Sequence, residues 1–283
     1  MMTRNKALFH MHFATVLFGL SGVFGALVHA SAVVIVWGRA LWAWLLLSLL
    51  ALLWRRSPWA GLQGRDIGRL LLSGVLLAAH WLTFFMAIHQ GGVAIGTLGF
   101  SCFPAMTALL ESLFFKEKIA VREWTLVALV SLGLILVTPD FNLGNQATMG
   151  LIWGIVSGSL YALLAMFNRL AAARADTAQA CWWQYLAIVA VTSPWVWPHW
   201  PHVSGKDWAW IAAIGLLCTG WAYHLFIRSL RVLNARTAAM VIALEPVYAI
   251  AIAWVWLAQV PNGRMLLGGG LIISAVLAAS RRT

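Results

Sequence analysis

Charged side chains are scarce in this sequence. Asp, Glu, Lys and Arg make up 10% of the 283 residues, while hydrophobic residues reach 62%. A soluble domain carries about 25% charged residues, because its surface must face water. The shortage of charge therefore excludes an ordinary soluble domain and predicts a membrane protein that crosses the bilayer several times.

Acidic residues are the rarer of the two charged classes. There are 8 Asp and Glu against 19 Lys and Arg, which gives a formal net charge of +11. Such an excess could indicate a nucleic-acid partner, but the basic residues form no domain and lie scattered between apolar runs. We expect no nucleic acid, and interpret the charge as the excess of Lys and Arg in cytoplasmic loops of membrane proteins.

Signatures of metal, cofactor or nucleotide chemistry are also missing. The three cysteines, Cys102, Cys181 and Cys218, lie in apolar runs and have neither disulfide nor metal-ligand spacing. No P-loop or G-x-S-x-G motif occurs, and no connection is long enough for a nucleotide-binding domain. We therefore expect no metal, no cofactor and no catalytic residue, which excludes ATP-driven pumping by this chain alone.

Apolar runs dominate the chain. A bilayer core takes roughly 20 residues of helix, and ten runs of about this kind are present. They lie near 8–28, 33–54, 69–89, 93–114, 124–138, 149–168, 179–197, 208–227, 237–258 and 265–280. The sequence therefore predicts an all-α integral membrane protein with ten transmembrane helices.

The basic residues test that count. Of the 19 Lys and Arg residues, 16 fall at the termini or in alternate connections. Lys206 and Arg264 fall in the other connections, and Arg39 lies inside the second run. This bias predicts that both termini are cytoplasmic.

An internal repeat relates the two halves of the chain. Residues 84–104 (FFMAIHQGGVAIGTLGFSCFP) align without a gap to 226–246 (FIRSLRVLNARTAAMVIALEP), and both end at a proline. The identities are few, but the pattern of turn, helix and proline is shared. We predict two five-helix repeats, 1–140 and 145–283, in one compact membrane domain. Because five is odd, the second repeat would be inverted in the membrane.

Both halves resemble a known family. The first contains CFPAMTALLESLFFKEKIAVREWTLVALVSLGLILV, and the second contains LEPVYAIAIAWVWLAQVPNGRMLLGGGLIISAVLAAS. These segments resemble the EamA-type exporters of the drug/metabolite transporter superfamily. The acidic residue that such proteins often carry after the fourth helix matches Glu117, whereas its counterpart after the ninth is Gln259. Among these proteins, the chain resembles the exporters of aromatic and other amino acids.

The resemblance implies a function and a location. It implies a secondary transporter that exports small amphipathic metabolites, amino acids above all, across the bacterial inner membrane by alternating access. Its partners would be that substrate and the lipid bilayer, and we expect a monomer or a weak homodimer. It also implies a cavity lined by helices 1, 3, 4, 6, 8 and 9. A lipid or drug translocase of the same fold, or an intramembrane enzyme, are the alternatives.

Glu245, immediately before Pro246, is the most conspicuous polar residue of the ninth run. A carboxylate at that depth is costly in lipid and is expected to face protein or a water-filled cavity. It could bind a substrate amine or carry a proton. Alternatively, it could accept hydrogen bonds from Arg39 or from donors around the Pro246 kink, where proline leaves a backbone carbonyl without its partner.

Other intramembrane polar residues are candidates of the same kind. His80 could bind substrate or move a proton, or be a satisfied core histidine; Phe84 shares its helical face and Trp81 points about 100° away. His224 lies at a similar depth. Arg39 could attract a substrate carboxylate, or reach the outer interface and pair structurally. Glu111, close to Lys116 and Lys118, is interpreted as a structural or gating ion pair.

Aromatic residues deep in the runs could wall an apolar cavity or simply pack. Phe100 and Phe103 precede Pro104, which mirrors Pro246 in the alignment and is interpreted as a structural break. The remaining deep aromatic candidates are Trp153, Tyr161, Trp221 and Tyr223.

Overall fold

The computed structural model of the protein describes residues 2–115, 121–138, 142–171, 175–230, 232–233 and 235–280. Glu117, singled out by the resemblance, lies outside these residues, as do Lys116 and Lys118. The described helices are α1 (Arg4–Leu27), α2 (Ala32–Leu53), α3 (Gly64–Phe100), α4 (Phe103–Phe115), α5 (Val121–Val137), α6 (Gln146–Ala171), α7 (Thr177–Val196), a 3₁₀ turn (Trp200–His202), α8 (Gly205–Ala213), a π segment (Ile214–Trp221), α9 (Ala222–Leu230), α10 (Ala235–Ile242), α11 (Glu245–Leu257) and α12 (Gly263–Ser280).

The predicted runs correspond to these helices with three differences. The third and fourth runs share α3, which is kinked at Gly92 and followed by α4. The eighth run is α8, the π segment and α9 in succession, and the ninth is α10 followed by α11. Each difference is a break or distortion inside a run, which hydropathy alone does not register.

The breaks in the fourth and ninth runs occupy matching places. α4 begins at Phe103, directly before Pro104, and α11 begins at Glu245, directly before Pro246. The gap-free alignment pairs these positions. Proline is tolerated in the first turn of a helix, where its missing N–H is not needed. It thus explains why a new helix starts at each of the two places.

Gly92 produces the kink in α3. Its φ of 77° lies in the left-handed region, which glycine adopts without the steric cost that other residues meet. The backbone N–H of Val93 then donates to the Gln259 side-chain oxygen at 2.9 Å. The amide oxygen of Gln259 thereby supplies the acceptor that an interrupted helix lacks.

Close packing of α6 on α3 joins the two halves. A Cβ added at Gly150 would lie 2.5 Å from the Gly91 nitrogen, and one added at Gly154 would lie 2.9 Å from the Gly96 oxygen. Only glycine permits such backbone contact, and a glycine at every fourth residue places that contact along one face. This seam fixes the wall of the bundle that carries His80.

The outer surface of the bundle is apolar. Leu52, Leu113, Val255 and Leu267 expose 70% to 89% of their surface. In the described part of the chain, five helical stretches are long and apolar enough to cross a membrane: Arg4–Leu27, Ala32–Leu53, Gly64–Phe100, Gln146–Asn168 and Gly205–Leu230. Apolar side chains directed outward on such helices are what a hydrocarbon environment requires.

Candidate functional site

A cavity of about 310 Å³ lies between the two halves. Two other cavities among the described residues are smaller, at about 20 and 70 Å³. Its wall mixes aromatic rings with a few polar groups: Phe18, Ser21, Arg39, Leu77, His80, Trp81, Phe84, Phe100, Tyr161, Leu164, Asn168, Cys181, Gln184, Tyr185, Cys218, Thr219, Tyr223, Phe226, Ile242 and Glu245. An apolar wall with few convergent polar groups is typical of a small-molecule site.

His80 is held in one orientation by Ser157 on α6. The Ser157 hydroxyl donates to the His80 carbonyl oxygen at 3.1 Å, and His80 Nδ1 lies 2.8 Å from that hydroxyl and 3.1 Å from the Ser157 carbonyl oxygen. In the tautomer that satisfies the Ser157 carbonyl, which can only accept, Nδ1 carries the proton of the neutral ring. Nε2 is then an acceptor available to the cavity.

Three rings surround the His80 imidazole. Its centroid lies 5.0 Å from that of Tyr161, 5.2 Å from Phe100 and 6.3 Å from Phe84. Phe103 continues the cluster, with centroids 5.3 Å from Phe100 and 5.2 Å from Tyr161. The fold therefore brings these predicted aromatic residues together around the His80 imidazole. Their rings give this part of the cavity a surface suited to an apolar or aromatic group of a ligand.

Arg39, on α2, also lines the cavity. It is buried, with 6% of its surface exposed, and its guanidinium stacks over Trp81 at 3.8 Å from the ring centroid. Nε and Nη2 donate to the Thr219 hydroxyl at 3.2 and 2.9 Å. The sequence left open whether the Arg39 side chain faces the interior of the bundle or reaches the outer membrane interface. The structure places it in the interior.

Glu245 enters the cavity from the start of α11. α1 packs closely here, since a Cβ at Gly19 would lie 3.1 Å from the Glu245 carbonyl oxygen and 3.0 Å from the Ala249 nitrogen. The carboxylate is half-buried and forms no ion pair with Arg39 among the described residues, although the two charges share the cavity. Glu245 and Pro246 also border a void of about 20 Å³ with Phe103 and Pro104.

Four predicted substrate-binding residues are not part of the cavity wall: Phe103, which borders the smaller void, and Trp153, Trp221 and His224. On α6 the wall begins at Tyr161, about two helical turns beyond Trp153. In the eighth run the wall residues are Cys218, Thr219, Tyr223 and Phe226, and the last three share one helical stripe. Trp221 and His224 are on other faces of that helix and are exposed; Trp221 packs its ring 5.4 Å from that of Phe13.

Glu111 is half-buried on α4 and is likewise not part of the cavity wall. Its gating role stays a prediction, because Lys116 and Lys118 lie outside the described residues.

Helices α2 and α7 contribute wall residues, although the resemblance implied a cavity without them. α7 supplies Cys181, Gln184 and Tyr185, which the sequence reasoning missed, and the Gln184 amide donates to the Asn168 side-chain oxygen at 2.9 Å. Thr219 was also missed. No spacing pattern in the sequence identifies these wall residues. They join Arg39 and His80 in the cavity wall because helices that are distant in the chain pack together.

The cavity is closed toward the end of the bundle where α1 ends. There the Val93 N–H donates to Gln259, and the His29 N–H donates to the Asp207 carboxylate at 2.9 Å, both across the two halves. Phe24, Trp210 and Trp256 add an aromatic cluster with centroids 5.1 to 6.0 Å apart. The wall reaches in the other direction to Asn168 and Phe226, near the end where α1 begins.

A helical bundle with an apolar exterior and a central cavity of mixed aromatic and polar lining defines a multi-pass membrane transporter. Comparison with known proteins supports that class. The model of the EamA-like transporter family matches residues 5–138 and again 148–281. The chain therefore belongs to the EamA-like transporter family, whose members are transporters and not enzymes.

Individual relatives cover most of the chain. An uncharacterised transporter of Bacillus subtilis, YxxF, is 23% identical over 96% of this chain and 89% of its own length. The pseudopaline exporter CntI of Pseudomonas aeruginosa is 25% identical over 83% of this chain and 82% of its own. A crystal structure 17% identical in sequence superposes with a TM-score of 0.65 over 99% of both chains, which supports the fold.

The prediction of an all-α, ten-span membrane protein of the EamA type is confirmed by the family match and the helical fold. The orientation of the termini and the repeat boundaries 1–140 and 145–283 stay predictions.

Proposed function

We propose that the protein exports small amphipathic metabolites, amino acids above all, from the cytoplasm across the bacterial inner membrane by alternating access. The observation that carries the proposal is the central cavity, in which His80 and Glu245 meet a cluster of aromatic rings. Polar groups at this depth are costly in lipid and are kept where they serve a function.

The size of the cavity favours a small substrate. At about 310 Å³ it lies at the lower end of the range of about 300–1,000 Å³ for ligand pockets. A metabolite with one apolar group fits this volume, whereas a phospholipid would need an opening for its acyl chains. The size thus argues for metabolite export over lipid translocation.

The composition of the wall favours an amphipathic substrate. Phe84, Phe100 and Tyr161 offer apolar and stacking surface on one side of the cavity. Glu245 offers an acceptor for an amine, and His80 Nε2 offers another acceptor beside the rings. An amino acid presents both kinds of group.

Alternating access is supported by the matching helix breaks. α4 and α11 start at paired positions, each directly before a proline, as expected of inverted repeats that can exchange conformations. The contacts that cross between the halves where α1 ends, Val93 to Gln259 and His29 to Asp207, are ones that such an exchange would have to break. Export, as the direction, is supported by the name of the pseudopaline exporter relative.

The test is counterflow in proteoliposomes containing the purified protein. Labelled phenylalanine, tryptophan, leucine and threonine are compared with a fluorescent phospholipid, for wild type and Glu245→Gln. Glu123→Gln, in the first turn of α5 and outside the cavity wall, is the matched control.

We expect counterflow of at least one amino acid, lost in Glu245→Gln and kept in Glu123→Gln. No amino-acid flux above that of protein-free liposomes would reject the substrate class, and phospholipid movement in its place would favour a lipid translocase.

A further inference from the structure

Arg39 is a buried cation, and not all of its hydrogen-bond donors have a partner among the described residues. Within the described part of the chain its guanidinium donates only to the Thr219 hydroxyl, through Nε and Nη2, and no bond from Nη1 is present. Its positive charge lies over Trp81 and within 5.5 Å of the Phe85 ring centroid. A guanidinium has five N–H donors in a planar fork, so donors remain for a ligand.

The charge of Arg39 is likewise not neutralised by a direct partner. Thr219 is uncharged, and among the described residues no carboxylate forms an ion pair with Arg39, Glu245 included. A cation held inside a membrane protein without an anion is strongly unfavourable compared with the same cation paired. The arrangement is therefore favourable chiefly when an anionic group enters the cavity.

A π segment puts Thr219 in place. In Ile214–Trp221 the Thr219 hydroxyl donates to the Ile214 carbonyl oxygen at 2.9 Å, five residues back. That bond directs the oxygen lone pairs toward Arg39. Gly215 allows the segment to approach α2, since a Cβ there would lie 2.7 Å from the Arg39 carbonyl oxygen. π-helical turns inside α-helices frequently occur at functional sites.

The geometry points to Arg39 as the residue that binds the carboxylate of the substrate, with Thr219 of the π segment as its positioning residue. This inference rests on the proposed function and narrows it. With Glu245 in the same cavity, the preferred substrate is dipolar, its carboxylate at Arg39 and its amine toward Glu245. Arginine suits this task because its fork binds a carboxylate through two parallel hydrogen bonds.

The test compares a carboxylate with its uncharged amide. Binding of L-phenylalanine and of L-phenylalaninamide to the purified full-length protein is measured by calorimetric titration. We expect wild type to bind the acid at least about 10-fold more tightly than the amide, as a charge-assisted pair should provide. Arg39→Gln should abolish this preference, and Arg39→Lys should retain part of it because the charge remains without the fork.

Thr219 variants separate positioning from folding. Thr219→Val, close in shape but without the hydroxyl, should weaken binding of the acid several-fold and leave the amide unchanged. Thr219→Ser should restore wild-type binding. Arg264→Gln is the matched arginine control, because Arg264 donates to the Thr138 carbonyl oxygen outside the cavity wall and its loss should not change the ratio of acid to amide.

A second readout keeps the inference testable if amino acids are not the substrates. Thermal stabilisation of wild type and Arg39→Gln is compared in benzoate, phenylacetate and phenyl phosphate. Stabilisation of wild type alone by these anions, together with no binding of L-phenylalanine, would support an anion site at Arg39 while rejecting amino acids as its ligand. The assignment to Arg39 would be overturned by equal binding of acid and amide to wild type, or by a preference for the acid that persists in Arg39→Gln. It would also be overturned if none of the three anions stabilised wild type more than Arg39→Gln.

Discussion

The fourth and ninth runs break in the same way but carry different chemistry at the break. In the first half the new helix opens with Phe103 and Pro104, and in the second half with Glu245 and Pro246. The prolines are equivalent and border one small void. The residue before each proline is aromatic on one side and acidic on the other. The position of the break is therefore the same in both halves, as the proposed alternating access would require, while the residue before the proline differs.

This asymmetry extends through the cavity. The first half contributes Arg39 and His80, and the second contributes Tyr161, Thr219 and Glu245. A substrate with two different ends could therefore bind in only one orientation. The position of the helix break is thus repeated in the two halves. The polar side chains that line the cavity are not repeated, because each comes from one half alone.

The largest expected effect on transport comes from Glu245, the acidic residue at the second break. Glu245→Gln keeps the shape of the side chain and removes its charge, so it should lower the rate of amino-acid counterflow by at least about 20-fold, as loss of one partner of a buried charged contact does. Phe103→Leu, at the paired position, should change the rate by less than about 3-fold, since it retains most of the apolar contact. Comparable losses in both variants would show that the two breaks are functionally alike.

His80 should come next. His80→Ala should reduce counterflow by about 10-fold, a loss typical of one directional hydrogen bond in a binding site. His80→Asn can still donate to Ser157 in place of Nδ1 but lacks Nε2, so it should lose as much transport while retaining thermal stability. His202→Ala, in the exposed 3₁₀ turn, should be unaffected. Wild-type rates in His80→Asn would assign His80 a purely structural role.

Gly92 tests the closed end of the bundle. Gly92→Ala forces a Cβ into the left-handed region at a cost of about 1–2 kcal/mol, and that Cβ would lie 3.1 Å from the Gln259 side-chain oxygen. We expect a lower melting temperature by circular dichroism. Gly270→Ala has open space around its Cβ and should be neutral or slightly stabilising. An unchanged melting temperature in Gly92→Ala would contradict the kinked geometry.

The smallest effects should come from the prolines themselves. Because each occupies the first turn of a helix, Pro104→Ala and Pro246→Ala should each change stability by less than about 1 kcal/mol. The two changes in thermal stability should be similar in size. A large loss in one variant alone would mean that the breaks are not geometrically equivalent.

Much of the scaffold could be predicted from the sequence, because hydropathy and the bias of basic residues follow directly from the bilayer. The gap-free alignment also paired the positions where α4 and α11 start. The polar candidates His80 and Glu245, with Phe84, Phe100 and Tyr161, were predicted individually, and the structure brings them into one cavity.

The rest depends on helix rotation and on contacts between the halves. The π segment has no marker in GLLCTGW, yet it sets the face on which Thr219 and Tyr223 lie and leaves Trp221 and His224 outside. The role of Gln259 at Val93 depends on a contact between residues 166 positions apart. Depth along a helix can be read from sequence, but the direction of a side chain toward a distant helix cannot.

The most direct test of the central claim, that substrate binds in the cavity between the halves, is photoaffinity labelling. A phenylalanine carrying a diazirine on its ring is irradiated with the purified protein, and the adducts are mapped by mass spectrometry. We predict adducts on the cavity faces of α3 and α6, around Phe84, Phe100 and Tyr161, that free phenylalanine suppresses. Adducts confined to the apolar exterior, or insensitive to phenylalanine, would contradict the account.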